Sequence, residues 1–268
     1  MSVWLALLLG IVQGVCEFLP VSSSGHLLLM QKLAGIDPNQ GGAFFSVMLH
    51  LATLVAVCVV YRKKLWALIR RPIQKTVGHL ILATIPTVVV ALVLKDLFGS
   101  FYDKAESGAY LGVCFLITAL LLLGSDALMV RSKKRKRNMK EMTALDALVI
   151  GGMQCVGILP GVSRSGATIS GALFSGLDRK SAADFSFLMS IPAVLGGAVL
   201  EAKDAISEGA FSVPILPLLA GMAAAGVTGY FAIRFMIRLI TQKKLWGFAA
   251  YTAVLGVVVV VLQITGVM

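Results

Sequence analysis

The sequence predicts an all-α polytopic membrane protein made of two inverted repeats, each a re-entrant helix hairpin plus three transmembrane helices. Three observations lead there. The chain is 58% hydrophobic and 14% charged, with a mean hydropathy of +0.90, whereas soluble domains carry roughly 25% charged residues. A signature stretch, residues 10–25, returns at residues 151–166 with a constant offset of 141 positions. Basic and acidic loops alternate between the apolar runs, as the positive-inside rule requires of a membrane bundle. The 268 residues are therefore read as a single integral membrane domain, with repeat one at 1–141 and repeat two at 142–268.

The first element of each repeat is the signature. Gly10 falls on Gly151, Gln13 on Gln154, Val15 on Val156, Ser22 on Ser163, Ser24 on Ser165 and Gly25 on Gly166. Each copy reads as an apolar helix broken by Pro20 or Pro160 and followed by a Ser/Gly turn. After the turn, residues 26–35 and 167–176 allow only two or three helical turns before Gly35 and Gly176, too few to cross a hydrocarbon core of about 30 Å. Residues 3–35 and 145–177 are thus expected to be re-entrant hairpins. Polar backbone at membrane depth is tolerated only in a protein interior or a wet cavity, so the turns are expected to be functional.

Six further stretches have the length and apolarity of crossings: Phe44 to Tyr61, Leu80 to Phe98, Gly108 to Val130, Phe185 to Leu200, Val213 to Ile233 and Leu245 to Val267. Three crossings per half invert the second half relative to the first. Arg62, Lys63, Lys64, Arg70, Arg71 and Lys75 follow the first crossing. Arg131, Lys133, Lys134, Arg135, Lys136, Arg137 and Lys140 follow the third, and Arg234, Arg238, Lys243 and Lys244 precede the sixth. All three groups fall on one side, which the rule makes cytoplasmic. Asp37, Asp103, Glu106, Glu201, Asp204 and Glu208 fall on the other. Both termini are then external, and the two hairpin tips enter from opposite sides and can meet.

Composition also excludes. The net charge of +11 sits in short loops, where membrane orientation explains it, so no nucleic-acid partner is expected. Cys16, Cys58, Cys114 and Cys155 lie in apolar segments without metal-ligand spacing and read as small core residues. The first segment lacks the basic start of a secretory signal, and it is expected to be retained.

The chemistry differs between the copies. Glu17 and His26 belong to the first, where the second has Ile158 and Ala167; Arg164 belongs to the second, where the first has Ser23. A guanidinium at membrane depth is best stabilised by a multi-oxygen anion such as phosphate, which it can bind with two parallel hydrogen bonds. The alternative for Arg164 is an ion pair with Glu17 itself. Glu17 lies four residues after Gln13, on one helix face, and the two offer hard oxygens to Mg²⁺ or Ca²⁺. The alternative there is a neutral Glu bonded to the turn. Ser22, Ser23 and Ser24 run into Gly25 and His26, a hydroxyl beside an imidazole, and Ser163, Ser165 and Thr168 flank Arg164. Helix capping is the competing role for all these hydroxyls. His50 and His79 read as a satisfied span residue and a loop-edge residue, Gln154 as a packing residue, and Asp178 with Arg179 as a helix-start ion pair.

With these residues laid out, the chain resembles the bacterial undecaprenyl-diphosphatase family, also called bacitracin-resistance proteins, nearly end to end. The resemblance rests on Gln13 to Glu17 as a Glu/Gln-x-x-x-Glu motif, on Pro20 to His26, and on Pro160 to Thr168 as Pro-Gly-x-Ser-Arg-Ser-x-x-Thr. It implies a metal-dependent phosphatase of the plasma membrane that removes the terminal phosphate of undecaprenyl diphosphate at the outer face and recycles the lipid carrier for cell-wall synthesis. By position it assigns metal binding to Gln13 and Glu17 and catalysis to Glu17, Ser23, His26 and Arg164. Substrate contacts fall to Ser22, Ser24, Gly25, Ser163, Ser165, Gly166 and Thr168. Gln13 takes the amide form of a variable position, one formal charge fewer beside the metal. The expected partners are a polyprenyl diphosphate lipid, membrane lipids and a second copy in a homodimer. The alternative function is a transporter or flippase for a lipid phosphate, since inverted repeats accompany alternating access; it has no need of Glu17 and His26 beside a serine. A purely structural membrane protein leaves Arg164 and Glu17 unexplained.

Overall fold

The computed structural model describes residues 1–36, 43–97, 99–131, 136–208, 214–242 and 244–266, and among them every long element is an α-helix. The first hairpin is α1 (Val3–Phe18) and α2 (Ser23–Leu33). It is followed by α3 (Ala43–Arg70), α4 (Lys75–Leu97), the short α5 (Gly99–Glu106) and α6 (Leu111–Arg131). A 3-10 turn at Met139–Glu141 leads into the second hairpin, α7 (Ala144–Val156) and α8 (Arg164–Phe174). The chain ends with α9 (Arg179–Glu208), α10 (Ile215–Gln242) and α11 (Trp246–Ile264). Six helices, α3, α4, α6, α9, α10 and α11, are long and apolar enough to cross a membrane.

Both hairpins form where the sequence places them. At about 1.5 Å per residue, the 16 residues of α1 and 13 of α7 fall short of a ~30 Å core, and the 11-residue α2 and α8 more so. Serines start the second arms. Ser22 Oγ accepts from the Gly25 amide at 3.2 Å, and Ser163 Oγ accepts from the Gly166 amide at 3.0 Å, so these two hydroxyls do cap helices. In α7, Thr143 and Asp146 form a capping box.

The crossings run past their apolar cores. Arg62, Lys63, Lys64 and Arg70 continue α3, and Arg234 and Arg238 continue α10, where the sequence suggested loops; Lys and Arg are good helix formers and extend their heads to the interface. The ends expected at Phe98, Val213 and Val267, and the loop residues Asp37, Lys133, Lys134, Arg135 and Lys243, lie outside the described residues. Asp178 and Arg179 make no helix-start pair. Asp178 instead accepts from the Ser181 amide and hydroxyl at 2.8 Å each, while Arg179 pairs with buried Asp126 of α6. The reason is geometric: neighbouring residues at a helix start do not face each other.

Elements correspond across the halves at the offset of 141. α2 maps onto α8 end for end, and α4, moved by 141, falls within α10. Packing exchanges partners in the same way: α1 lies along α10 and α7 along α4, while α3 meets α9 and α6 meets α11. Small residues permit the close crossings, as is usual where lipid gives helices no hydrophobic drive to associate. A Cβ on Gly10 would lie 2.2 Å from the Gly221 carbonyl oxygen, and one on its counterpart Gly151 would lie 2.3 Å from the Ala83 carbonyl oxygen.

Arg137, expected only as loop charge, fastens the second hairpin. Its fork donates to both Asp146 oxygens at 2.8 Å and to the Ser175 carbonyl at 2.5 Å. Burial raises the Asp146 carboxyl, but the bonds from Arg137 and Thr143 outweigh it and hold that group below the usual carboxylate range.

Candidate functional site

The tips of the two hairpins meet. Gly161 donates its amide to Ser24 Oγ at 3.3 Å, and Ser165 Oγ donates to the Leu19 carbonyl at 3.1 Å. Gly25 is glycine for a steric reason: a Cβ there would come within 2.7 Å of the Phe115 ring and 3.0 Å of Gly161 Cα. Gly166 sits against Ser163 and Pro20 in the same way. The N-termini of α2 and α8 thus converge, and the unpaired amides of a helix start, with its positive dipole end, attract anions. Ser22 holds φ at 72°, a left-handed value rare outside glycine, and such strain concentrates at functional sites.

Glu17 is the hub of the cluster. It is 6% exposed, and its Oε1 is paired with Arg164 Nη2. Oε2 accepts from Ser23 Oγ at 2.6 Å and from Gln13 Nε2 at 2.9 Å. The Arg164–Glu17 ion pair, the alternative weighed from the sequence, is therefore present, and it joins the chemistry of one repeat to that of the other. Among the described residues no other hydrogen-bond partner of the Arg164 guanidinium is found, which leaves donors of the fork for a ligand.

His26 is placed differently from the expectation of a base beside a serine. Its Nδ1 lies 2.7 Å from the Ser22 carbonyl and its Nε2 lies 2.7 Å from the Tyr251 hydroxyl. A carbonyl only accepts, so Nδ1 carries the proton and, in the neutral ring, Nε2 accepts from Tyr251. The ring is stacked on Tyr251 and meets the Phe115 ring edge-on. The hydrogen-bond partner of Ser23 is Glu17, not His26.

On the second tip, Ser163 is held by Thr118, whose Oγ1 accepts its amide at 3.0 Å, and Ser163 and Ser165 hydroxyls lie 3.2 Å apart. Thr168 is 1% exposed; its hydroxyl bonds back to the Arg164 carbonyl at 2.9 Å and meets Ser186 Oγ at 2.5 Å. Gln154, the counterpart of Gln13, donates to Thr87 Oγ1 at 2.9 Å, as a packing residue would. The four cysteines are free thiols.

Two residues were missed. His50 of α3, set aside as a satisfied span residue, does bond through Nδ1 to the Ser46 carbonyl at 2.8 Å, but its Nε2 also lies 3.5 Å from Glu17 Oε2. The signal was there, a polar ring inside a crossing. Tyr251 gave none, because its pairing with His26 spans 225 positions.

Known proteins resemble this chain along nearly its whole length. The model of the family described as bacitracin resistance protein BacA matches residues 6–258. A protein of Carboxydothermus hydrogenoformans named undecaprenyl-diphosphatase is 42% identical over 268 residues, 99% of each chain. A protein of Bacillus thuringiensis named undecaprenyl-diphosphatase 4 is 40% identical, covering 98% of each chain. One of Treponema denticola named undecaprenyl-diphosphatase is 40% identical, covering 96% of each. With a family match from residue 6 to residue 258, well over half of its length, this chain belongs to the bacitracin resistance protein BacA family.

Proposed function

We propose that the protein is an undecaprenyl-diphosphate phosphatase, hydrolysing the terminal phosphate of the C55 lipid carrier to give undecaprenyl phosphate and inorganic phosphate, in support of cell-wall synthesis and bacitracin resistance. One observation carries this reading: Arg164, Glu17 and Ser23 form a single hydrogen-bonded cluster where the N-termini of α2 and α8 converge. A lipid-phosphate flippase would use the amides and Arg164, but it gains nothing from a serine hydroxyl 2.6 Å from a carboxylate.

In this reading the diphosphate sits between the two helix starts, its oxygens held by the amides of Ser23, Ser24, Arg164 and Ser165 and by the free donors of Arg164. Ser23 attacks the terminal phosphorus while Glu17 takes its proton, the bond from that phosphorus to the bridging oxygen breaks, and undecaprenyl phosphate leaves with its new oxygen met by His26, released from Tyr251 and protonated on Nε2. Water then attacks the phosphoserine, Ser23 takes its proton back from Glu17, and inorganic phosphate is released. Ser22, Gly25, Ser163, Gly166 and Thr168 set the shape of the tips. The residues present suit a divalent cation: Gln13 is fully buried, and its Oε1 has no hydrogen-bond partner among the described residues, although it belongs to an amide bonded to the Glu17 carboxylate. Gln13 and Glu17 would hold Mg²⁺ or Ca²⁺, which when bound neutralises charge on the phosphate oxygens. Purified protein given undecaprenyl diphosphate should release inorganic phosphate, lose that activity in EDTA and regain it with Mg²⁺ or Ca²⁺. Lipid movement between leaflets without phosphate release would favour the flippase.

The same reading makes residues 1–268 one bundle of two inverted repeats in the bacterial plasma membrane, with the site open to the outside and both hairpins re-entrant. Three crossings per half and the exchanged packing partners support it. The exposed apolar face of α4, including Ile81, Val88 and Leu92, offers a surface to lipid or to the second copy of a homodimer. Cysteines introduced at Lys140 and Ser107 should label from opposite sides, Lys140 from the cytoplasm and Ser107 from outside. Labelling of both from one side would remove the inversion.

A further inference from the structure

We propose that His50 is a third ligand of the divalent-cation site formed with Gln13 and Glu17, a role that rests on the metal-dependent reading above. Its Nδ1 lies 2.8 Å from the Ser46 carbonyl. That carbonyl only accepts, so the proton of the neutral ring stays on Nδ1, and Nε2, which then carries a lone pair, lies 3.5 Å from Glu17 Oε2. Two acceptors facing each other repel unless something positive lies between them.

The separation distinguishes the remedies. A charge-assisted hydrogen bond would draw nitrogen and oxygen to about 2.7–2.9 Å, well inside the 3.5 Å found. Two ligands of one ion, each about 2.1 Å from it, stand about 3.0–3.5 Å apart. A third acceptor belongs to a side chain bonded to the same carboxylate oxygen. Gln13 is 0% exposed, its Nε2 is used on the same Glu17 oxygen, and its Oε1 is without a partner among the described residues. No three His, Cys, Asp or Glu side chains converge among the described residues, so the set is an amide oxygen, one carboxylate and one imidazole. Arg164 takes the other carboxylate oxygen, so the ion would meet Glu17 at Oε2, taking the place of one of the hydrogen bonds that Ser23 and Gln13 make there. Mn²⁺ takes the same carboxylate and carbonyl oxygens as Mg²⁺ and Ca²⁺, and its unpaired electrons make it the probe of this site.

The test reads the metal rather than turnover. Purified protein is titrated with Mn²⁺, binding is followed by loss of the free-ion electron paramagnetic resonance signal, and the bound ion is examined for ¹⁴N modulation from a coordinated imidazole. Bound Mn²⁺ should show that modulation. In His50→Gln it should be lost while Mn²⁺ still binds, about tenfold or more weakly; in His26→Asn and His79→Asn it should persist. Bound Mn²⁺ without nitrogen modulation, or modulation that survives His50→Gln, overturns the role of His50 and leaves the Gln13–Glu17 site standing. Absence of any Mn²⁺ binding overturns the cation site and this inference together. Should His50→Gln fail to fold, the native protein and the two other histidine variants still decide whether His50 is the nitrogen donor.

Discussion

Glu17→Gln should lower phosphate release from undecaprenyl diphosphate by about 10³ or more, combining the loss of a general base, about 10²–10⁴, with loss of the anionic cation ligand. The size follows from how many contacts share one carboxylate. Oε1 pairs with Arg164, and Oε2 accepts from Gln13 Nε2 at 2.9 Å and Ser23 Oγ at 2.6 Å. Glutamine has the same shape, but one of its two ends is an NH₂ that donates. Turned toward Arg164, that end sets donor against donor; turned toward Ser23 and Gln13, it meets two groups that need an acceptor. Either way a buried polar group loses its partner, at about 1–3 kcal/mol of stability. Stability and activity should therefore both fall, with activity falling much further. Turnover is measured as phosphate release, and folding is checked by thermal unfolding in detergent. A variant within tenfold of the native rate would mean that Glu17 serves to hold the tips together and not in the reaction.

How much of this was legible in sequence depends on the range over which each feature is encoded. The hairpins were, because their causes are local: Pro20 follows the C-cap Leu19 of α1, α7 stops at the C-cap Gly157 shortly before Pro160, and Ser22 and Ser163 cap the second arms at equivalent positions. The six crossings were legible as apolar runs, but not their ends. The free energy that stops a crossing belongs to the bilayer, whereas the helix continues through Arg62 to Arg70 because those side chains favour it. The meeting of the tips followed from counting crossings, yet its contacts could not be read. Which partner Ser23 takes depends on how α1 is rotated against α2, and the sequence shows only that Glu17 and His26 are both within reach. His50 was discounted as a span residue satisfied by a neighbour, and Ser46 of its own helix is that neighbour, whereas the carboxylate near its other nitrogen comes from α1. Thr168 shows the converse: its motif position suggests the ligand, but it is buried against Ser186 of α9 and bonded to the Arg164 backbone, which suits it to hold Arg164 in place.

Arg164→Lys should cost at least a hundredfold in turnover, nearly as much as Arg164→Ala, and the ion pair with Glu17 makes the comparison sharper. Two roles compete for this arginine. As a structural cation it neutralises Glu17, and lysine, keeping the positive charge on a flexible stem, would serve that role and leave turnover within severalfold of native. As a clamp on phosphate it must hold Glu17 and substrate at once. A guanidinium can do so, because Nη2 is engaged by Glu17 while the remaining donors of the planar fork stay free for oxygens. In flight the phosphoryl group spreads charge over three equatorial oxygens, and an arginine positioned there contributes on the order of 10³ or more in rate. Lysine is a point charge, drawn wholly to the Glu17 carboxylate or wholly to phosphate. The Arg164 side chain is only 23% exposed, so a lysine left between the two partners would also carry its charge with little help from water. The measurement is phosphate release at saturating lipid for Arg164, Lys and Ala proteins matched for thermal stability. A lysine variant near the native rate would reduce Arg164 to the partner of Glu17 and remove it from the reaction.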